Sequence, residues 1–170
     1  MPPAEPFSIQ VADTPALLDE ARSIIREYAD GLGVDLCFQG LEAELAGLPG
    51  EYAPPAGVLL LALVDGQVGG CGALRPITDV DYPDACEMKR LYVRPAYRRL
   101  GLGLALAREL VDHATQVGYS VMLLDTLDEM EAARGMYEAM GFEEIPPYYF
   151  NPVAGAHYLK LDLRSATTRF

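Results

Sequence analysis

The segment Glu87-Met-Lys-Arg-Leu-Tyr-Val-Arg-Pro-Ala-Tyr-Arg-Arg-Leu-Gly-Leu-Gly103 gathers the side chains best suited to hold an anion. Five of the 13 lysines and arginines (Lys89, Arg90, Arg94, Arg98, Arg99) fall within eleven positions, with no acid among them. The cluster runs into Gly101, Gly103 and the start of a helical pattern. Helix starts offer free N–H groups and the positive end of the dipole. Glycines let a ligand approach the backbone. Together these predict a phosphate or pyrophosphate cradle. No Gly-Lys-Ser/Thr follows, which excludes a P-loop. Leu106 stands where a dinucleotide fingerprint needs its third small residue.

Other constellations are missing. His113 and His157 lack metal-ligand spacing, and Cys37, Cys71 and Cys86 form no Cys-x-x-Cys pair, so no metal is expected. There is no Gly-x-Ser-x-Gly elbow. Asp79, Asp81 and Asp84 read as a solvated turn that could attract a cation. They are not an EF-hand, because Asp84 and Arg90 occupy its Gly and Glu positions.

The elements that would position the loop follow from periodicity. Phe7–Ala12 alternates as a strand. A helix follows, with Asp13 or Thr14 as its cap and Pro15 just inside. Phe38–Ala46 reads as a weaker helix. Val58–Val64 and Gln67–Thr78 form a hairpin about Asp65-Gly66. The small residues at 69–73 would let something approach the sheet closely. Ala85–Val93 is a strand that Pro95 ends. Gly101–Val117 is an amphipathic helix, Tyr119–Leu124 a buried strand, and Glu129–Met140 a helix. Phe142–Ile145 and Ala156–Leu163 are late strands, and the two tails read as frayed. The order β-α-α-β-β-β-α-β-α-β-β predicts an α/β (α+β) domain, a mixed sheet of about seven strands with about four helices on its faces.

A chain of 170 residues is room for one domain, spanning 1–170 with an ordered core at about 7–163. The net charge of −12 disfavours nucleic acid and anionic membrane as partners. The odd cysteine count and the lack of a basic-then-apolar leader lead us to expect a cytoplasmic protein.

Arg98-Arg-Leu-Gly101-Leu-Gly103 resembles the Arg/Gln-x-x-Gly-x-Gly/Ala motif of the GNAT superfamily, the Gcn5-related N-acetyltransferases. Tyr137-Glu-Ala-Met-Gly141-Phe142 is similar to the family's second signature, and the two lie one helix and one strand apart. The resemblance covers roughly Phe7 to Leu163. It implies the GNAT fold, acetyl-CoA as donor, and direct attack by a primary amine in a ternary complex. The backbone of Leu91, Tyr92 and Val93 would hold the pantetheine and acetyl group, with the Val93 N–H polarising the carbonyl. Amides of Arg98, Arg99, Leu100, Gly101, Leu102, Gly103 and Leu104 would hold the pyrophosphate.

By the same resemblance Glu87 is the general base, and Tyr137 the acid that protonates the leaving thiolate. The bland alternatives are an ion pair between Glu87 and Lys89 or Arg90, and a core aromatic at Tyr137 beside Ala133 and Met140. Cys86 points to the face opposite Glu87 and reads as core. Met130 replaces an asparagine that many relatives use on the cofactor. The acceptor would lie between the first helix connection (Cys37, Phe38, Gln39) and the late aromatic loop (Tyr148, Tyr149, Asn151), or that loop simply packs on the sheet edge. The acceptor is expected to be a small-molecule amine, with a peptide or protein amine as alternative. A non-catalytic acyl-CoA sensor, a nucleotide- or phosphosugar-binding module and a homodimer stay open.

Overall fold

The computed structural model describes residues 7–31, 40–127, 131–149 and 155–166. Its elements are β1 (Ser8–Val11), α1 (Pro15–Gly31), α2 (Leu41–Ala46), β2 (Val58–Val64), β3 (Gln67–Ile77), β4 (Ala85–Val93), α3 (Leu102–Val117), β5 (Val121–Leu127), α4 (Glu131–Met140), β6 (Glu143–Ile145), β7 (Ala156–Asp162) and α5 (Leu163–Ala166). One seven-stranded sheet has the order β1-β2-β3-β4-β5-β7-β6. Every pairing is antiparallel except β4 with β5. The mixed sheet with helices on both faces is the expected architecture.

Local signals explain most boundaries. The Thr14 hydroxyl accepts a hydrogen bond from the Leu17 N–H, capping α1 at Pro15. Asp65 and Gly66 both take positive φ, as a tight hairpin between β2 and β3 requires. Several ends differ from expectation by a residue, and three elements by more. Helix α2 starts only at Leu41, because Gly40 before it is left-handed. Strand β5 begins at Val121 and runs on to Leu127, past the expected end at Leu124. The C-terminal tail keeps helix through Ala166.

Alternation along β2 sorts the core into two layers. Val58, Leu60 and Ala62 pack with Leu102, Leu106 and Leu110 of α3 and with Tyr137 and Met140 of α4. Leu59 and Leu61 pack with Ile24 and Ile25 of α1 and with Leu41 and Leu45 of α2. The small residues of β3 serve this packing. A Cβ on Gly69 would lie 2.8 Å from the Tyr97 ring, and one on Gly72 would lie 3.1 Å from Leu110.

At Gly57, just before β2, an added Cβ would sit 2.5 Å from the carbonyl oxygens of both Glu51 and Leu74. Backbone cannot yield there as a side-chain tip can. Gly57→Ala is therefore expected to destabilise by about 1–3 kcal/mol. Gly31→Ala, with nothing within 4 Å of the new atom, should leave stability at or above wild type. Urea midpoints of the two variants check this.

Candidate active site

The site is built on a parting of strands. β4 and β5 pair only over Ala85↔Val121, Cys86↔Met122 and Glu87↔Leu123. Beyond that rung β4 stays on β3 as far as Val93, while β5 stays on β7 as far as Leu127. The register of β3 and β4 shifts between Cys71↔Tyr92 and Ala73↔Lys89, so β4 carries one extra residue. Arg90 sits in this bulge with φ +61°. The bulge resets which side chains face α3. Cys86 and Met88 do so before it, Leu91 and Val93 after it. Glu87 and Lys89 point to the other face with Tyr92. A buried bidentate pair secures the bulge, with Arg90 Nε and Nη2 donating to Glu44 of α2 at 3.0 and 2.9 Å.

On the α3 face the loop 98–101 is exposed. Gly101 caps α3 in a left-handed conformation with φ +83°, and no side chain caps the helix. The amides of Leu102, Gly103 and Leu104 thus lack partners within the helix, the arrangement that suits an anion. Arg99 also has positive φ. Arg98 Nε donates to the Val93 carbonyl at 3.0 Å, tying the loop to the end of β4.

The five-cation cluster divides, which corrects its reading as one cradle. Arg90 is committed to Glu44. Arg94 donates to Glu27 of α1 at 3.1 Å and to the Val68 carbonyl at 2.8 Å. Lys89 lines a cavity on the opposite face. Only Arg98 and Arg99 stand on the loop itself. The split follows from alternation across the bulge, which turns some cations inward to carboxylates far away in sequence.

That cavity has a volume of about 770 Å³ and lies between α2, the turn at Gly50–Tyr52, β3, β4 and the Tyr148-Tyr149 loop. On its wall Glu87 is only 1% exposed. One carboxylate oxygen accepts from Arg75 Nε and the other from the Tyr148 hydroxyl, each at 2.7 Å. Arg75 Nη1 also donates to Glu51 at 2.7 Å. The partner of Glu87 is therefore Arg75, its cross-strand neighbour, and not Lys89 or Arg90. Burial lowers the Lys89 pKa against the pull of Glu87.

The Tyr149 hydroxyl donates to Asp125 of β5, and burial raises the pKa of both Tyr148 and Tyr149. The two rings pack edge-on against Tyr158 of β7. Tyr148 and Tyr149 thus line the cavity and also pack on the sheet. Cys37, Phe38, Gln39, Met130 and Asn151 lie outside the described residues. Asp79 lines the cavity rim, and Asp81 and Asp84 are exposed.

Tyr137 is buried in the α3 layer, 5.5 Å from the Phe142 ring. Burial pushes its pKa up, with lesser contributions from Tyr28 and Asp125, so the phenol keeps its proton. Cys86 is buried on the α3 face, as expected, and burial raises its pKa. Among the described residues no cluster could hold a metal ion, and no helix is long and apolar enough to cross a membrane.

Sequence reasoning missed Arg75 and Asp125. The hairpin register would have placed Arg75 opposite Glu87, had the 78–84 turn been centred. Asp125 falls one residue beyond the expected end of its strand.

Residues 23–142 match the Acetyltransferase (GNAT) family. An uncharacterized N-acetyltransferase of Schizosaccharomyces pombe is 40% identical over 158 residues, covering 92% of this chain and 95% of its own. Among solved structures, a GNAT-family acetyltransferase of Staphylococcus aureus superposes with a TM-score of 0.74 at 19% identity, covering 92% of this chain and 99% of that one. An acetyltransferase of Salmonella typhimurium, solved with its cofactor acetyl-CoA, superposes with a TM-score of 0.68 at 20% identity, covering 93% and 94%. The parted strands, the open helix start and these likenesses agree: the chain belongs to the GNAT acetyltransferase family and is an acyltransferase.

Proposed function

We propose that the protein transfers an acetyl group from acetyl-CoA to a primary amine of a small molecule, by direct attack in a ternary complex. The observation that carries this reading is the gap between β4 and β5, which has an anion-binding loop on one face and a cavity of 770 Å³ on the other. A volume of that order suits a small ligand, since such pockets run to roughly 300–1,000 Å³. The Salmonella neighbour's acetyl-CoA supports the donor. The expected cytoplasmic location is part of the same proposal.

In this reading the amides of Leu102, Gly103 and Leu104, with Arg98, Arg99, Leu100 and Gly101 beside them, hold the pyrophosphate. The edge of β4 at Leu91, Tyr92 and Val93 receives the pantetheine and polarises the carbonyl. Tyr137 reaches the gap from the α3 face and donates to the sulfur as the C–S bond breaks. Tyr148 and Tyr149 bound the acceptor. Glu87 is ion-paired to Arg75 and accepts from Tyr148, and we assign it to fix those two as a wall of that site.

Three outcomes follow. Calorimetric titration should give micromolar binding of acetyl-CoA, with ATP, NAD and dephospho-CoA much weaker; equal binding of ATP or NAD would favour a nucleotide module. Tyr137→Phe should slow thiol release ~10²-fold or more with unchanged acetyl-CoA affinity, whereas wild-type turnover would return Tyr137 to a packing role. Glu87→Gln should keep the wild-type pH–rate profile while losing about 1–3 kcal/mol of stability, the order expected for weakened buried charge-assisted bonds. A rate lost at neutral pH and regained at high pH in that variant would instead make Glu87 the base.

A further inference from the structure

The cavity on the acceptor face is walled by charge as well as by rings. Among the described residues its acidic and basic side chains are Glu44, Glu51, Asp79, Glu87, Arg75 and Lys89. They are not equally placed. Glu44 is held by two nitrogens of Arg90. Glu87 is sealed, with one oxygen on Arg75 and the other on Tyr148. Glu51 and Asp79 stand exposed at the mouth.

Arg75 differs from all of these. Its side chain keeps 28% exposure. Its bonds run from Nε to Glu87 and from Nη1 to Glu51, each at 2.7 Å. Among the described residues Nη2 has no partner, and it is not one of the buried nitrogens that lack one. Nη2 therefore stays accessible on the cavity wall. The two existing bonds serve different ends. The bond to sealed Glu87 fixes the plane of the guanidinium. The bond to Glu51 ends on a carboxylate 64% exposed, and ion pairs to exposed groups contribute little. An entering carboxylate can release Glu51 to water and take Nη1 and Nη2 together. That is the two-bond fork for which a planar guanidinium is shaped.

The depth of Arg75 suits this role. It lies opposite Glu87, at the last rung that β4 shares with β5. The strand edge proposed for the acetyl group lies farther along β4, at Leu91 to Val93. On β3, Cys71 opposite Tyr92 is four residues from Arg75, so the two ends of the site stand about 13 Å apart along the sheet. The arginine side chain spans part of that distance. An acceptor whose anionic group lies a few bonds from its amine spans the rest. An amine with a second positive charge would instead set like against like at Arg75.

We propose that the acceptor is an amine that also carries a carboxylate, the chemistry of an amino acid or short peptide, and that Arg75 is the specificity-determining residue that receives that carboxylate. The inference rests on the proposed amine acetylation and names the substrate class of the same site.

The test is thiol release from acetyl-CoA with β-alanine, 4-aminobutyrate and glycylalanine, each set against its own primary amide, with rates referred to the free-amine fraction. The best acid should exceed its amide in kcat/KM by ~10-fold or more, the order expected of charge-assisted bonds. Arg75→Lys keeps a charge beside Glu87 but loses the fork. It should cut that ratio ~10-fold, through the acid's KM, with acetyl-CoA affinity kept. Glu51→Gln removes the competing carboxylate at the mouth and should raise the ratio, a readout that stands even where Arg75→Lys fails to fold. Amides accepted as well as their acids in all three pairs, or a ratio that neither variant moves, overturns the carboxylate assignment and leaves amine acetylation intact. Wild-type protein that binds acetyl-CoA but turns over none of the six amines overturns the acetylation reading, and this assignment with it.

Discussion

Strand β4 has to leave β5 without leaving β3, and the rest of the site depends on how it does so. A straight strand would continue both ladders and close the gap. The extra residue at Arg90 bends β4 away while β3 keeps its pairing on the other side. A non-glycine residue with positive φ costs on the order of 1–3 kcal/mol and persists only where its surroundings hold it. Here Glu44 grips the Arg90 guanidinium with two bonds, and the Cys71 thiol donates to the Arg90 carbonyl at 3.1 Å. Helix α2 therefore helps to fix the bulge, and the wall of the acceptor cavity is mechanically joined to the strand edge that would hold the acetyl group.

The same economy governs the charges. The chain carries 25 acids and 13 bases, and three of its arginines reach acids far away in sequence. Arg75 meets Glu87 and Glu51, Arg90 meets Glu44, and Arg94 meets Glu27. The Arg90–Glu44 pair is buried; such a pair contributes little net stability, but breaking it strands a charge and costs about 3–5 kcal/mol. The use of all three arginines is positional. Arg90 joins α2 to β4, Arg75 joins the turn at Glu51 to β3 and β3 to β4, and Arg94 joins α1 to the end of β4, so directional contacts add to apolar packing.

This explains what could be read from the chain. The strands bounded by turn residues, Val58–Val64 and Ala85–Val93, were legible to the residue, because their signals are local. The partner of Glu87 was not, because Arg75 lies across a hairpin and only register brings them together. The fate of Lys89, Arg90 and Arg94 depended on the bulge, which no turn residue announces: an arginine occupies the left-handed position. Asp125 was passed over because the apolar run ends at Leu124, whereas the ladder with β7 carries the strand to Leu127.

The consecutive tyrosines of the late loop show why the gap can exist without unravelling the sheet. Tyr148 donates to Glu87 on β4, and Tyr149 donates to Asp125 on β5. Adjacent residues of one loop thus bind the two strands on either side of the point where their backbone ladder stops. The rings also meet Tyr158 of β7 edge-on, which anchors the loop to the neighbouring strand. On the acceptor face side-chain bonds take over where backbone bonds end. In the proposed reading the opposite face would admit the thioester beside α3. A gap stapled in this way suits the proposed reaction between two bound substrates, which would need the flanking strands held at a fixed spacing.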